Sequence, residues 1–320
     1  MEELAPSSLT RALVRQKYHF VGRHSAVKGC RWLHETLIHD RPCYKQKFYG
    51  IKTHQCIQMT PTLLYCTQQC LFCWRAQSGD LKMTWDEMKL PTWDSPEKIV
   101  EGSIKAQLRI LSGYKGNPKT DQQKFKEALT PRHVAISLTG EPTLYNYIGE
   151  LIQTFHKRGL TTFLVSNGTM PTVLAKMSEE PTQLYISACA SNEETFKHIC
   201  RPQISKAWRR LVETLELLPS FKCPTVIRIT SVRGLNMNDV TGYTKLIKKA
   251  NPTYVEPKAY MHVGFSRLRL GYASTPSHQE IREFAEKIAT ATSYNIVDES
   301  RESRVVLLSK HKKPIRFGYG

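Results

Sequence analysis

Cys66, Cys70 and Cys73 fall in the spacing Cys-x-x-x-Cys-x-x-Cys, and nothing else in the chain restricts its fold so tightly. Three thiolates so placed take three corners of an iron-sulfur cubane and leave the fourth iron open to another ligand. A zinc site normally closes with a fourth protein ligand, and a fully ligated ferredoxin cluster with a fourth cysteine. Neither follows here at usable spacing. An open coordination position means catalysis, so the cysteine loop has to stand where a substrate can reach it. The run Thr60 to Tyr65 reads as a strand that leads straight into Cys66. From Ser95 onward the text alternates. Apolar β-rich runs occur at His133 to Thr139, Thr161 to Ser166, Gln183 to Cys189, Pro224 to Ser231 and Thr253 to Lys258, with amphipathic helical patterns near 145–158, 204–218 and 238–249. Such βα units build an α/β fold, either an open doubly wound sheet or a barrel, complete or partial. Both put chemistry at the C-terminal ends of the strands.

Nine cysteines in a reducing compartment argue for metal or catalysis rather than disulfides. Six of the nine lie between residues 30 and 73; Cys189, Cys200 and Cys223 are scattered and read as core or incidental thiols. The N-terminal stretch Met1 to Phe20 has no apolar run of signal-peptide length, and no window approaches the about 18 apolar residues of a membrane span. A cytoplasmic protein with no membrane partner is expected. Lys and Arg outnumber Asp and Glu by 46 to 28, a balance of +18 that concentrates polyanions and favours a nucleic-acid partner. The alternative is a solvated basic surface kept for solubility. Residues 112–131, SGYKGNPKTDQQKFKEALTP, break the periodicity and read as an exposed excursion. Tyr294 to Leu308 reads as two short strands around a charged turn, followed by a basic run, Lys310 to Arg316.

With these motifs the chain resembles the radical S-adenosylmethionine (SAM) superfamily, in which the three-cysteine loop follows the first barrel strand and the open iron binds the cofactor's amino and carboxylate groups. Gly140-Glu141-Pro142-Thr143 follows the run HVAISLT as the superfamily's Gly-Glu element does. A glycine there lets backbone approach and a carboxylate complements an ammonium. The resemblance carries cofactor contacts to Gly140, Glu141, Ser166, Asn167 and Ser187, although each of the last three also reads as a cap or turn former. Arg228 in VIRITS suits the cofactor carboxylate, or is a surface arginine. Trp74 packs on the cluster or cofactor, or belongs to the core.

A second series, Cys30, Cys43 and Cys56, precedes the motif at intervals too long for a local zinc knuckle, and spacing alone leaves a shared metal open. The order of blocks, among them GRHSAVKGCRW, CLFCWRAQ, SLTGEPTLY and PKAYMHVGFSRLRL, resembles the archaeal, single-domain type of 4-demethylwyosine synthase over nearly the whole chain. That resemblance implies a partial (β/α)6 TIM-like barrel at 60–275, an N-terminal extension at 1–59 and a C-terminal helix and β extension at 276–320. It implies a second 4Fe-4S cluster on Cys30, Cys43 and Cys56 that engages pyruvate, and a Schiff base between pyruvate and Lys45, with Lys47 the competing lysine. The implied reaction cleaves SAM reductively to methionine and a 5′-deoxyadenosyl radical, which abstracts hydrogen from the methyl group of 1-methylguanosine at position 37 of phenylalanine tRNA. The carbon radical adds to pyruvate, and loss of the pyruvate carboxyl carbon precedes ring closure to 4-demethylwyosine.

Arg209, Arg210, the Lys115 to Lys126 excursion, Arg267, Arg269 and the Lys310 to Arg316 run are the expected contacts to tRNA. Only 65 residues precede Cys66, too few for a flavodoxin-like domain, so an external flavodoxin or ferredoxin is the expected reductant of a monomer. The competing readings are another two-cluster radical enzyme acting on tRNA or a peptide, and a non-enzymatic RNA-binding iron-sulfur or zinc protein.

Overall fold

The structure, a computed structural model, describes residues 7–317, so the first six residues of the N-terminal stretch lie outside it. The chain opens with α1 (Ser7–Arg15), the hairpin β1 (Tyr18–Val21) and β2 (Ser25–Lys28), α2 (Arg31–His39) and α3 (Tyr44–Tyr49). Then come β3 (Cys56–Thr60), α4 (Pro96–Ser112), α5 (Gln122–Ala128), β4 (His133–Ile136), α6 (Ile148–Lys157), β5 (Thr161–Ser166) and α7 (Pro171–Ala175). The second half holds β6 (Gln183–Ser187), α8 (Glu193–Cys200), α9 (Ala207–Leu217), β7 (Thr225–Ser231), α10 (Val240–Ala250) and β8 (Tyr254–Ala259). It ends with α11 (His278–Ala291), β9 (Asn295–Ser300) and β10 (Val305–Ser309).

Strands β3 to β8 pair in parallel and in chain order, the partial (β/α)6 arrangement. The β1–β2 hairpin adds antiparallel to β3, and β10 with β9 adds antiparallel to β8, so one sheet of ten strands runs β1-β2-β3-β4-β5-β6-β7-β8-β10-β9. Helices α4, α6, α9, α10 and α11 cover it with one apolar face each. Ile99, Leu151, Leu215, Ile247 and Phe284 are buried from that side against strand residues such as Ile136, Leu164 and Ile227.

Two expectations need correction. The strand before the cysteine loop is Cys56–Thr60 rather than Thr60 to Tyr65. Leu63, Leu64 and Tyr65 are buried as irregular chain against Leu9, Leu13 and Leu138, so their apolarity reflects core contact and not strand pairing. It follows that β3 opens on Cys56 itself, within the segment 1–59. The excursion at 112–131 is not merely exposed loop. It folds into α5, which buries Phe125 and Ala128 against Leu33 and Leu37 of α2.

His133 starts β4 fully buried. Its Nε2 faces the Lys52 N–H at 3.2 Å, so that nitrogen accepts, and the opposite Nδ1 reaches Thr161 Oγ1 at 2.7 Å. Burial, then neighbouring Arg132, push its pKa down from 6.5 to about 4. The unfolded chain therefore takes the proton first. Stability from this group is complete above pH 6.5 and is lost as pH falls towards 4. Urea unfolding at neutral and at mildly acid pH should show wild type losing roughly 2 kcal/mol more than His133→Gln on acidification.

Candidate active site

Six strands of one direction gather their C-terminal ends on one side, and the cysteine loop folds over them. Chain termini of neighbouring elements hold that loop. Leu71 N–H donates to Ile199 O at 2.9 Å, Gln203 N–H to Thr67 O at 2.8 Å, and Phe265 N–H to Trp74 O at 3.0 Å. Two arginines fix it from within. Arg75, almost wholly buried, donates to Glu87 at 2.5 Å and to Gln68 O at 2.7 Å. Arg269 pairs with Asp80 at 2.6 Å and donates to the carbonyl of Cys73. Arg269 is thus spent on the loop and buried, and is not available to RNA phosphate as expected from sequence; Arg267 beside it is exposed.

Under the loop lies a cavity of about 150 Å³ lined by Cys66, Cys70, Cys73, Gly140, Glu141, Ser166, Asn167 and Ser187. Gly140 has φ +73°, and a Cβ there would stand 1.9 Å from Thr62 O and 2.7 Å from Tyr65 O. Only glycine permits that approach of two backbones. Glu141 follows, fully buried, which raises its pKa. Its Oε1 accepts from Thr143 N–H at 3.0 Å, Thr143 Oγ1 at 2.6 Å and Ser166 Oγ at 2.8 Å, and its Oε2 from Asn167 N–H at 2.7 Å. The carboxylate therefore sutures the Gly-Glu turn to the end of β5. Asn167 Nδ2 then reaches Thr67 Oγ1 at 2.8 Å, tying β5 to the cysteine loop. Trp74 also lines the cavity.

Two further thiols that read from sequence as core or incidental, Cys189 and Cys200, line the same cavity, and Cys200 contacts Cys70. Burial pushes the Cys66 and Cys73 thiols up, and the Arg75 guanidinium pulls the other way.

A second cavity of about 170 Å³ contains Cys30, Cys43 and Cys56, brought together from three elements as only the fold can do. Cys30 caps the start of α2, Cys43 the start of α3, and Cys56 opens β3. Burial pushes Cys30 up to about 11 and Cys56 up to about 12, with Lys45 opposing both. Lys45 is buried in this cavity, its Nζ 4.3 Å from the Tyr185 ring and 4.6 Å from that of Phe163. Burial, then Arg228, push it down to about 8. Lys47 points away, to Glu299 O at 2.6 Å and Asp298 at 2.8 Å, and is exposed.

Arg228 lines this second cavity rather than the first, where a cofactor carboxylate was expected to meet it. Its guanidinium donates to Tyr44 OH and to Glu256 at 3.3 Å, while Glu256 also accepts from Tyr49 OH at 2.6 Å. Lys258, a residue that sequence reasoning missed, lines the cavity too and is likewise pushed down to about 8 by burial and Arg228. The signal was present: Glu256 and Lys258 alternate in an otherwise apolar strand, which puts both charges on one face. Ser137, just past β4, lines both cavities, so the two stack along the inside of the sheet.

All nine cysteines are free, and among the described residues no three His, Cys, Asp or Glu side chains gather tightly enough for a single metal ion. Two all-thiol triads around cavities of this size suit a larger inorganic body, for which cysteine thiolates are the usual ligands.

Elsewhere the expected basic contacts divide. Arg209 and Arg210 line a separate groove of about 330 Å³ with Lys206, although Arg209 pairs with Glu213 at 3.0 Å. Lys310 reaches Asn251, while Lys312 and Lys313 are exposed.

Residues 60–247 match the radical SAM superfamily and residues 249–310 the wyosine base formation family. An S-adenosyl-L-methionine-dependent tRNA 4-demethylwyosine synthase of Pyrococcus abyssi is 51% identical over 95% of this chain and 89% of its own length. Its counterpart in Methanocaldococcus jannaschii is 42% identical over 98% of this chain and 99% of its own. A solved structure of TYW1 with a lysine-pyruvate adduct bound superposes with a TM-score of 0.88 at 41% identity, covering 98% of each chain.

Gly140→Ala should separate packing from chemistry at the first cavity. The strained φ and the clash with Thr62 O are expected to cost about 2–4 kcal/mol in urea unfolding, with iron bound per chain falling in parallel.

Proposed function

The chain belongs to the radical SAM superfamily and, within it, to the S-adenosyl-L-methionine-dependent tRNA 4-demethylwyosine synthases, and on that premise we propose that its two stacked cavities divide one condensation between them. The enzyme joins 1-methylguanosine at position 37 of phenylalanine tRNA to pyruvate, giving 4-demethylwyosine. With SAM bound, a 4Fe-4S cluster on Cys66, Cys70 and Cys73 supplies the electron that splits the cofactor's carbon-sulfur bond. Gly140, Glu141, Ser166, Asn167 and Ser187 shape the pocket for SAM. A second 4Fe-4S cluster belongs to Cys30, Cys43 and Cys56.

The observation that carries the reading is the buried Lys45 amine in a cavity shared with a second cysteine triad. A free amine is the form that attacks a ketone, and a desolvated place beside Arg228 favours it. Lys45 adds to the pyruvate carbonyl carbon, and water leaves to give the Schiff base. The lysine-pyruvate adduct held by the 41% identical TYW1 structure supports this assignment. Arg228 and Lys258 add positive charge where the pyruvate carboxylate has to sit. The +18 balance supports the tRNA partner. The reductant is a flavodoxin or ferredoxin, and the protein acts as a monomer in the cytoplasm.

Anaerobic reconstitution should give about eight irons per chain, falling to about four in a Cys30→Ala/Cys43→Ala/Cys56→Ala variant. Cyanoborohydride in the presence of pyruvate should add the mass of a reduced adduct to wild type and none to Lys45→Ala, while Lys45→Ala still releases 5′-deoxyadenosine from SAM. An adduct of full yield on the variant would remove Lys45 from its role.

A further inference from the structure

A groove of about 570 Å³ runs beside the β1–β2 hairpin and the C-terminal end of α4. Lys17, Lys28, Arg31 and Arg109 line it, and no carboxylate does. Among the described residues no ion pair engages Lys17, Lys28 or Arg109, whereas Arg31 faces Glu35 at 3.7 Å. Arg109 helps to hold the pKa of the groove's His19 below its ordinary value, after burial. Tyr114 presents a half-buried ring on the same wall, its centroid 5.9 Å from that of His34.

The groove borders the second cavity and comes close to the first. Cys30 lines it and the second cavity alike. The Lys28 ammonium stands 4.8 Å from the ring of Trp74, which lines the first.

We infer that this groove seats the single-stranded RNA on either side of the reacting base, with Lys17, Arg31 and Arg109 on phosphates and Tyr114 against a neighbouring base. The inference rests on the tRNA reading given above and locates its substrate surface. An unpaired loop offers splayed bases and a bent phosphate track, and a concave cationic wall with an aromatic ring matches both. A protein electron donor needs to approach one cluster only. The reacting base has to arrive between the two cavities, and the groove shares Cys30 with the second and reaches Trp74 of the first through Lys28.

The test uses the reconstituted holoprotein and a fluorescent anticodon stem-loop RNA containing 1-methylguanosine, titrated at several salt concentrations. Lys17→Glu/Arg109→Glu reverses two exposed charges of the groove, and Lys245→Glu/Lys287→Glu makes the same charge change on α10 and α11. The groove pair is expected to bind RNA at least about tenfold more weakly than the control pair, with the slope of log affinity against log salt reduced by about 1.5. Dithionite-driven SAM cleavage without RNA should be unchanged in both pairs, which also shows that both fold. Equal RNA binding by the two pairs would overturn the inference. So would a groove pair that binds RNA normally but accepts electrons poorly from an acidic flavodoxin and normally from dithionite, since the groove would then be a donor dock. If wild type itself fails to bind the RNA, the tRNA reading falls with it.

Discussion

Burying a thiol is inexpensive and burying a thiolate is not, so a protein that gathers two triads of cysteines inside its fold has to bring positive charge in with them if they are to ionise. The charge is itself buried and needs its own anion. Each cavity solves this with one arginine and one glutamate. At the first, Arg75 lies beside Cys66 and Cys73 and is neutralised by Glu87. At the second, Arg228 pairs with Glu256, and Lys45 and Lys258 lie beside the three thiols. Removing either glutamate would strand a buried guanidinium, the costly half of a broken ion pair. Arg228 and Lys258 line the space into which the proposed reaction brings a further anion, the pyruvate carboxylate.

The sheet makes this arrangement possible. Parallel strands send their C-terminal ends to one side, where the Cys66 loop, the Gly140 turn and the end of β5 meet. The second triad approaches the same interior from α2, α3 and the first residue of β3. Helix α3 is held there by packing: Tyr44, Phe48 and Tyr49 are buried with Phe163, Tyr185 and Val226 of the strands. The N-terminal segment is therefore part of the wall that encloses Lys45, and its removal would open the cavity as well as delete all three cysteines of the second triad.

Much of this was legible in the sequence because the relevant signals are local. The runs from Thr161, Gln183 and Pro224 became β5, β6 and β7 nearly residue for residue, since each is an apolar strand covered on both faces. The misreadings concern residues whose role depends on distant partners. Leu63 to Tyr65 look like a strand and are core packing; Phe125 docks an apparent loop onto α2. Cys200 is 130 positions from Cys70 and meets it because the end of α8 bonds to the cysteine loop. Arg228 was read from its fit to a carboxylate and Arg269 from charge clustering, and their destinations were set by the register of β7 with β8 and by the Asp80 turn.

The choice between Lys45 and Lys47 was nearer to the sequence than it first looks. Positions two apart in an α-helix point about 200° apart, so one of the two has to face inward and the other outward. Lys45 precedes Tyr49 by four residues and adjoins Tyr44, which precedes Phe48 by four, so it shares the apolar face of YKQKFY. Lys47 shares a face with none of these at that spacing. The aromatic pairs turn α3 onto the sheet, and that single rotation delivers the Lys45 amine to the cavity while leaving Lys47 to the carboxylate of Asp298.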